Sequence, residues 1–222
     1  TRAGRSGEIL PLPRWLLRKV VAHSRIFPRP HYNAAMCTSI RSSATCLLAL
    51  LVSLSGFTLA QTTEPWLLVD TSELSVSVMS GDDVVTVFEN IAIGSNGATR
   101  DKKVEDERTP LGDYRITEIR DSRRFYRFMA LDYPSMEDAG RALDDGRIDQ
   151  GDYARIRQAW RRGIPPPQDT PLGGHLGLHG LGNGDPDIHE RFNWTNGCIA
   201  LTNDQIDELS KLIATGIRVH IR

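Results

Sequence analysis

The 222-residue sequence predicts a mainly β domain with a helical insertion and a helix behind a candidate nucleophile. Three observations predict it. Between residues 66 and 131, short segments alternate apolar and polar side chains with a period of two. Residues 135–162 leave that pattern and take helical spacing. After Cys198, Thr202-Asn203-Asp204-Gln205 has the form of a capping box, which opens a helix about one turn beyond the thiol. With 40% hydrophobic residues at this length, one sizeable core and one domain are expected.

Taken in order, Trp66-Leu67-Leu68-Val69 and Leu74-Ser75-Val76-Ser77-Val78-Met79 read as strands with one face inward, and Ser80-Gly81-Asp82-Asp83 as the turn after them. Residues 84–93 read as one returning strand that ends at Gly94. A polar loop follows to Asp113, closed by Thr109-Pro110-Leu111-Gly112, in which Lys102-Lys103 is either a solvated charge run or a substrate contact. Strand patterns resume at residues 114–119 and 125–131.

In the insertion, residues 136–143 form the first helix, and Ile148, Tyr153, Ile156 and Trp160 form an apolar stripe on the second. Gly163 and the Pro165-Pro166-Pro167 run stop it. The stripe either covers the sheet or lets the helices lean over a cleft as a lid. Asp144-Asp145-Gly146-Arg147 is not a calcium loop: with Gly146 at its sixth position, Arg141 and Leu143 fall where acids belong. His175-Leu176-Gly177-Leu178-His179 reads as a buried strand with both histidines on one face. A helix over residues 203–214, ending at Gly216, and a strand over 217–221 close the chain.

Chemistry is expected at Cys198. It lies nineteen residues beyond His179, and a histidine with a cysteine is the pairing that a thiol nucleophile and its base require. A buried cysteine by itself is commonly a packing residue. Gly197, immediately before it, permits a backbone conformation closed to other residues, so consecutive N–H groups can converge on one point as an oxyanion hole. His175, His179, Asp185, His189 and Cys198 are zinc-ligand types, but no regular ligand spacing and no further cysteine supports a metal. Neither a metal nor a cofactor is expected.

At the amino terminus, Met36-Cys37-Thr38-Ser39-Ile40-Arg41 makes a short basic start, residues 44–59 are apolar with small polar interruptions, and Thr58-Leu59-Ala60 precedes a cleavage point before Gln61. This reads as a secretory signal over residues 36–60, with 1–35 a mis-assigned upstream extension and 61–222 the exported domain. The other reading is an uncleaved anchor. The run is short and serine-rich for a membrane span, so none is expected after cleavage. Cys37 and Cys46 leave with the signal, and Cys198 stays unpaired in a compartment where cysteines ordinarily come in pairs, which points to chemistry. Residues 1–60 hold eight of the 27 basic residues and one of the 28 acidic ones, leaving 19 bases and 27 acids, a net of about −8, beyond. That sign argues against nucleic acid as a partner.

His179-Gly180, a variable loop over residues 181–193 and Thr195-Asn196-Gly197-Cys198 together resemble the YkuD-type L,D-transpeptidase catalytic domain family. Ile91-Ala92-Ile93-Gly94, then Lys102 or Lys103, and Thr109-Pro110-Leu111-Gly112-Asp113-Tyr114 resemble its upstream block. The resemblance covers residues 66–222 and implies a β-sandwich with the cysteine at the mouth of a cleft, acting on peptidoglycan stem peptides in the periplasm or cell envelope. Carried across, Cys198 is the nucleophile, His179 its base and the Gly180 carbonyl the group that orients it. The N–H groups of Asn196, Gly197 and Cys198 would form the oxyanion hole, and Lys102, Lys103, Tyr133, Trp194 and Thr195 are candidate substrate contacts. Three features depart from the usual pattern. Asn196 stands in place of the commoner His, Ala200 stands where many members have Arg or Asn, and the insertion is extra. With Trp194-Thr195 they resemble a divergent branch that includes amidase-type hydrolases of peptidoglycan-linked lipoprotein. An amine acceptor, on a stem peptide or an envelope protein, would give a cross-link; water would give a carboxypeptidase or amidase. A silent peptidoglycan-binding module is the reading from another class, and it has no need for the His179 and Cys198 pair.

Overall fold

Eight strands lie in one mixed sheet in the order β3 (Asp83–Phe88), β2 (Ser75–Ser80), β1 (Pro65–Asp70), β10 (Arg218–Ile221), β6 (Gly112–Ser122), β7 (Tyr126–Leu131), β8 (Gly177–His179), β9 (Ile199–Ala200), in a computed structural model that describes residues 64–222. The signal expected over residues 36–60 and the extension over 1–35 lie outside the described residues. The chain enters as a meander of β1 (Pro65–Asp70), β2 (Ser75–Ser80) and β3 (Asp83–Phe88), and its last strand, β10 (Arg218–Ile221), returns parallel to β1 with Leu67 opposite Val219. A separate parallel pair joins β4 (Ala98–Thr99) to β5 (Thr109–Pro110) inside the polar loop.

The longest strand, β6 (Gly112–Ser122), serves two neighbours. Its first residues pair with β10, and from Ile116 onward it pairs with β7 (Tyr126–Leu131), with a register shift between Ile116 and Glu118. An extra residue at such a point bends a strand and increases its twist. One core receives side chains from both sides of that bend, Leu67, Val69 and Val219 from one and Met129, Leu178 and Ile199 from the other. The mainly β expectation holds.

Residues 84–93 are not one strand. β3 ends at Phe88, Asn90 takes a left-handed conformation (φ 58), and residues 91–94 leave the meander to bridge Ala92 with Ala200 and Gly94 with Thr195. Asparagine visits that region at little cost, so the turn carries neither Gly nor Pro to flag it. β2 also departs from one-face burial, since Ser77 is buried along with Val76, Val78 and Met79.

The interval 135–162 carries α1 (Met136–Asp144) and α2 (Gln150–Arg162). Ser135 caps α1 in a reciprocal capping box with Asp138, and α2 runs from Asp149 to a left-handed Gly163 (φ 62). Ile148 is buried, but between the helices and not on the stripe of α2. The expected strand into His179 is shorter than its pattern: β8 is only Gly177–His179. His175 is exposed with φ 56, so it does not share a strand face with His179. β9 (Ile199–Ala200) follows the cysteine. Then α4 (Asn203–Leu212) opens on the Thr202 and Gln205 capping box, a feature worth roughly 1 kcal/mol.

Candidate active site

β8 and β9 are parallel neighbours, with Leu178 opposite Ile199 and His179 opposite Ala200. That pairing carries two residues nineteen apart in sequence to the same end of the sheet, and the intervening loop holds the short α3 (Pro186–Arg191). His179 and Cys198 line one cavity of about 340 Å³ together with Arg124, Phe125, Phe128, His175, Trp194 and Asn196. A cavity of equal volume between β6 and the end of α2, lined by Trp160, Pro165 and Asp132, contains neither cysteine nor histidine.

His179 is 1% exposed. Its Nδ1 lies 2.8 Å from the Gly180 carbonyl oxygen. A carbonyl only accepts, so Nδ1 carries the proton and Nε2 keeps its lone pair as the basic atom. Aromatic rings hold the imidazole: Phe125 at 4.2 Å, Phe128 nearly parallel at 6.2 Å, and Trp194 edge-on at 5.8 Å between centroids. Burial among them pushes its pKa down to about 4; the Gly180 bond opposes the shift, and the charges of His189 and Arg124 add to it. Gly180 has no space for a side chain, since a Cβ would come within 2.8 Å of Asn203 Oδ1 and 3.0 Å of the Phe125 carbonyl.

Cys198 is half-buried, with Sγ 3.7 Å from the His175 carbonyl oxygen. Burial pushes its thiol up to about 11, against the lowering effects of a backbone bond from Gly177 and the charge of Lys102. The turn before it depends on glycine: Gly197 has φ 117, and a Cβ there would meet the Arg108 carbonyl at 2.4 Å and Lys102 Nζ at 3.1 Å. Thr195, 3% exposed, fastens the turn from within. Its hydroxyl donates to the Cys198 carbonyl at 2.7 Å and accepts the Gly197 N–H at 3.1 Å.

Residues 64–221 match the model of the L,D-transpeptidase catalytic domain, YkuD. The chain belongs to that family. No curated protein matches it. Among solved structures it is similar to Bd1075 of Bdellovibrio bacteriovorus, with a TM-score of 0.48 and 18% identity over 72% of this chain and 48% of that one. It is also similar to the helical cell shape determining protein Pgp2 of Campylobacter jejuni, with a TM-score of 0.47 and 18% identity over 73% and 48%. A third is an L,D-transpeptidase of Xylanimonas cellulosilytica, with a TM-score of 0.42 and 13% identity over 73% and 62%. The chain spans about half the length of the first two.

Within this YkuD domain only some of the sequence-predicted site residues meet at the cavity. Cys198, His179, Asn196 and Trp194 line the cavity together. Lys102 is not solvated: it is 4% exposed, bonded to Asp106 at 2.6 Å, and stands behind the Gly197 turn, while Lys103 is exposed and lines no part of the cavity. Tyr133 is 1% exposed and its hydroxyl donates to the Leu172 carbonyl at 2.9 Å, so it faces the core and not the substrate. Thr195 borders the cavity, but its hydroxyl is occupied within the turn. The second bond of that hydroxyl, accepted from the Gly197 N–H, takes this N–H out of the expected oxyanion hole and leaves those of Asn196 and Cys198 for that role. Ala200 is fully buried and paired with Ala92, so it presents nothing polar.

The sequence reading missed Arg124, Phe125, Phe128 and the pairing of Lys102 with Asp106. None of these had a signal in the sequence, since residues 102–106 form no helix and opposite charges four apart need not meet in a loop. It also missed what the insertion does for this YkuD domain. No residue of 135–162 lines the cavity. Instead Arg147 donates to the Lys102 carbonyl at 3.3 Å and Arg141 to the Arg100 carbonyl at 3.1 Å, so the helices brace the loop that carries Lys102.

Proposed function

We propose that this YkuD-family domain is a cysteine acyltransferase of the cell envelope, an L,D-transpeptidase acting on peptidoglycan stem peptides. The observation that carries the reading is the bond from His179 Nδ1 to the Gly180 carbonyl, which commits one ring nitrogen and leaves Nε2 as a base in the cavity that also holds Cys198. Around neutral pH the shifted groups are both uncharged, a thiol with a pKa of about 11 beside an imidazole with a pKa of about 4. The chemistry is therefore concerted with proton transfer: Nε2 takes the thiol proton as Sγ bonds to the carbonyl carbon of an L-centre. The oxyanion falls to the N–H groups of Asn196 and Cys198. The C–N bond to the terminal D-residue then breaks, the leaving amine takes the proton from His179, and a thioester on Cys198 remains. An incoming amine gives up its proton to His179 and restores the thiol, forming a cross-link. Water in its place would make the domain a carboxypeptidase or an amidase, and the leader-like residues 36–60 are consistent with action outside the cytoplasmic membrane.

Mass spectrometry of purified muropeptides incubated with the protein tests this. Cross-linked product supports the transpeptidase, and shortened peptide moves the assignment to a hydrolase. An absence of both product and acyl-enzyme, equal to that of Cys198→Ala, leaves a binding module.

A further inference from the structure

Arg124 is the single permanently charged side chain lining the cavity among the described residues. It sits at the tip of the β6–β7 hairpin, and that tip is clamped. Gly182 lies so close beneath it that a Cβ there would come within 2.1 Å of the Arg124 carbonyl oxygen, and Gly182 itself has φ 65. The Asn203 side chain in turn grips Gly182, accepting its N–H at 2.9 Å and donating to its carbonyl at 3.0 Å. The guanidinium stands 5.0 Å over the Phe125 ring, whose centroid is 4.2 Å from that of His179. Cation, ring and base thus run from exposed through half-buried to buried.

Arg127, Arg141, Arg147 and Arg155 hold carboxylates, and the arginines that hold none, such as Arg108 and Arg191, do not line this cavity. Among the described residues no carboxylate lies within ion-pair distance of Arg124. A guanidinium carried on a clamped backbone, with no carboxylate claiming its donors, at the rim of a cavity that contains a nucleophile, is suited to a planar anion, which it can hold by two parallel bonds. The cavity of about 340 Å³ accommodates only a short stretch of peptide, at about 3.5 Å per extended residue. An anion at the rim therefore belongs to the residue beside the attacked carbonyl.

We propose that Arg124 receives the terminal carboxylate of the substrate peptide, one residue beyond the scissile bond, and thereby restricts the domain to free peptide ends. This rests on the acyl-transfer reading above, and binding tests it separately from turnover. A stem tetrapeptide ending in D-Ala and its C-terminal amide are titrated against Cys198→Ala protein, then against the same protein carrying Arg124→Gln or Arg124→Lys. The acid should bind about ten- to hundredfold more tightly than the amide. That preference should vanish in Arg124→Gln and survive in part in Arg124→Lys. Equal Kd values for acid and amide with Arg124 present, no binding of either, or an unchanged preference in Arg124→Gln would overturn the assignment. So would an equal loss of acid and amide binding in Arg124→Gln, since Arg124 would then act only by bracing Phe125. Absence of turnover with Cys198 present, alongside the expected binding pattern, would instead sink the acyl-transfer reading and leave the carboxylate site standing.

Discussion

The hydroxyl of Thr195 donates to the carbonyl oxygen of Cys198 at 2.7 Å while it accepts the N–H of Gly197. One side chain therefore sets the backbone on both sides of the Gly197 peptide. Thr195→Val keeps the shape and removes both bonds, leaving a buried N–H and a buried carbonyl unpaired at roughly 1–3 kcal/mol each. The expected result is a lower denaturation midpoint and a fall in kcat with little change in KM, both largely restored in Thr195→Ser. A Val variant with the parent kcat would show that the turn holds itself.

Alkylation kinetics report the state of the thiol. With Cys198 pushed up to about 11, its reaction with iodoacetamide at pH 7.5 should be about two orders of magnitude slower than that of an ordinary free thiol and should climb with pH toward 11. A fast reaction that is flat from pH 6 upward would mean a preformed thiolate and imidazolium pair, contrary to a thiol raised and an imidazole lowered by burial.

His179 also links stability to pH. Its folded pKa is depressed from 6.5 to about 4, so the unfolded chain binds the extra proton between those values. The stability it contributes is fully present above pH 6.5 and is lost as the pH falls toward 4, on the order of 3 kcal/mol in all. His189 is shifted in the same direction, mainly by burial. Urea midpoints measured from pH 7.5 to 4 should fall more steeply for the parent than for His179→Gln; parallel curves would count against a buried neutral imidazole.

Lys102 and Asp106 are unequal partners, because Lys102 is almost wholly enclosed while the Asp106 side chain is 17% exposed. Asp106→Asn strands an ammonium inside and should cost roughly 3–5 kcal/mol. Lys102→Met leaves a carboxylate that water can reach, and should destabilise less. It also removes the cation that favours the Cys198 thiolate, so alkylation at a fixed pH should slow severalfold. Equal destabilisation by the two variants would contradict the asymmetry.

What was legible in the sequence was local chemistry. The Thr202 to Gln205 box and the glycine turn before Cys198 are written in adjacent residues, because a cap and a tight turn are settled by near neighbours. The failures share another cause. Alternation carried the reading straight through Asn90 and His175, both in left-handed conformations that their residue types tolerate without announcing. Lys102 and Tyr133 look like surface contacts until the partners that bury them, Asp106 and Leu172, are in place. Arg124 sits in a polar hairpin tip like any other until Gly182 and Phe125 are seen to aim it.

The left-handed Asn90 divides one apolar segment between two duties: residues 83–88 finish the meander, and residues 91–94 lie along β9 with Ala92 opposite Ala200. The second half is thus a splint for the nucleophile, set by the number of residues spent on the corner. One residue more or fewer at Glu89 or Asn90 would exchange the faces taken by Ile91 and Ile93 with that of Ala92, all three buried, and force larger side chains into the space a methyl now fills, since side chains alternate along an extended chain. Length changes should therefore be barred from this corner, whereas substitutions compatible with a left-handed residue at position 90 should pass.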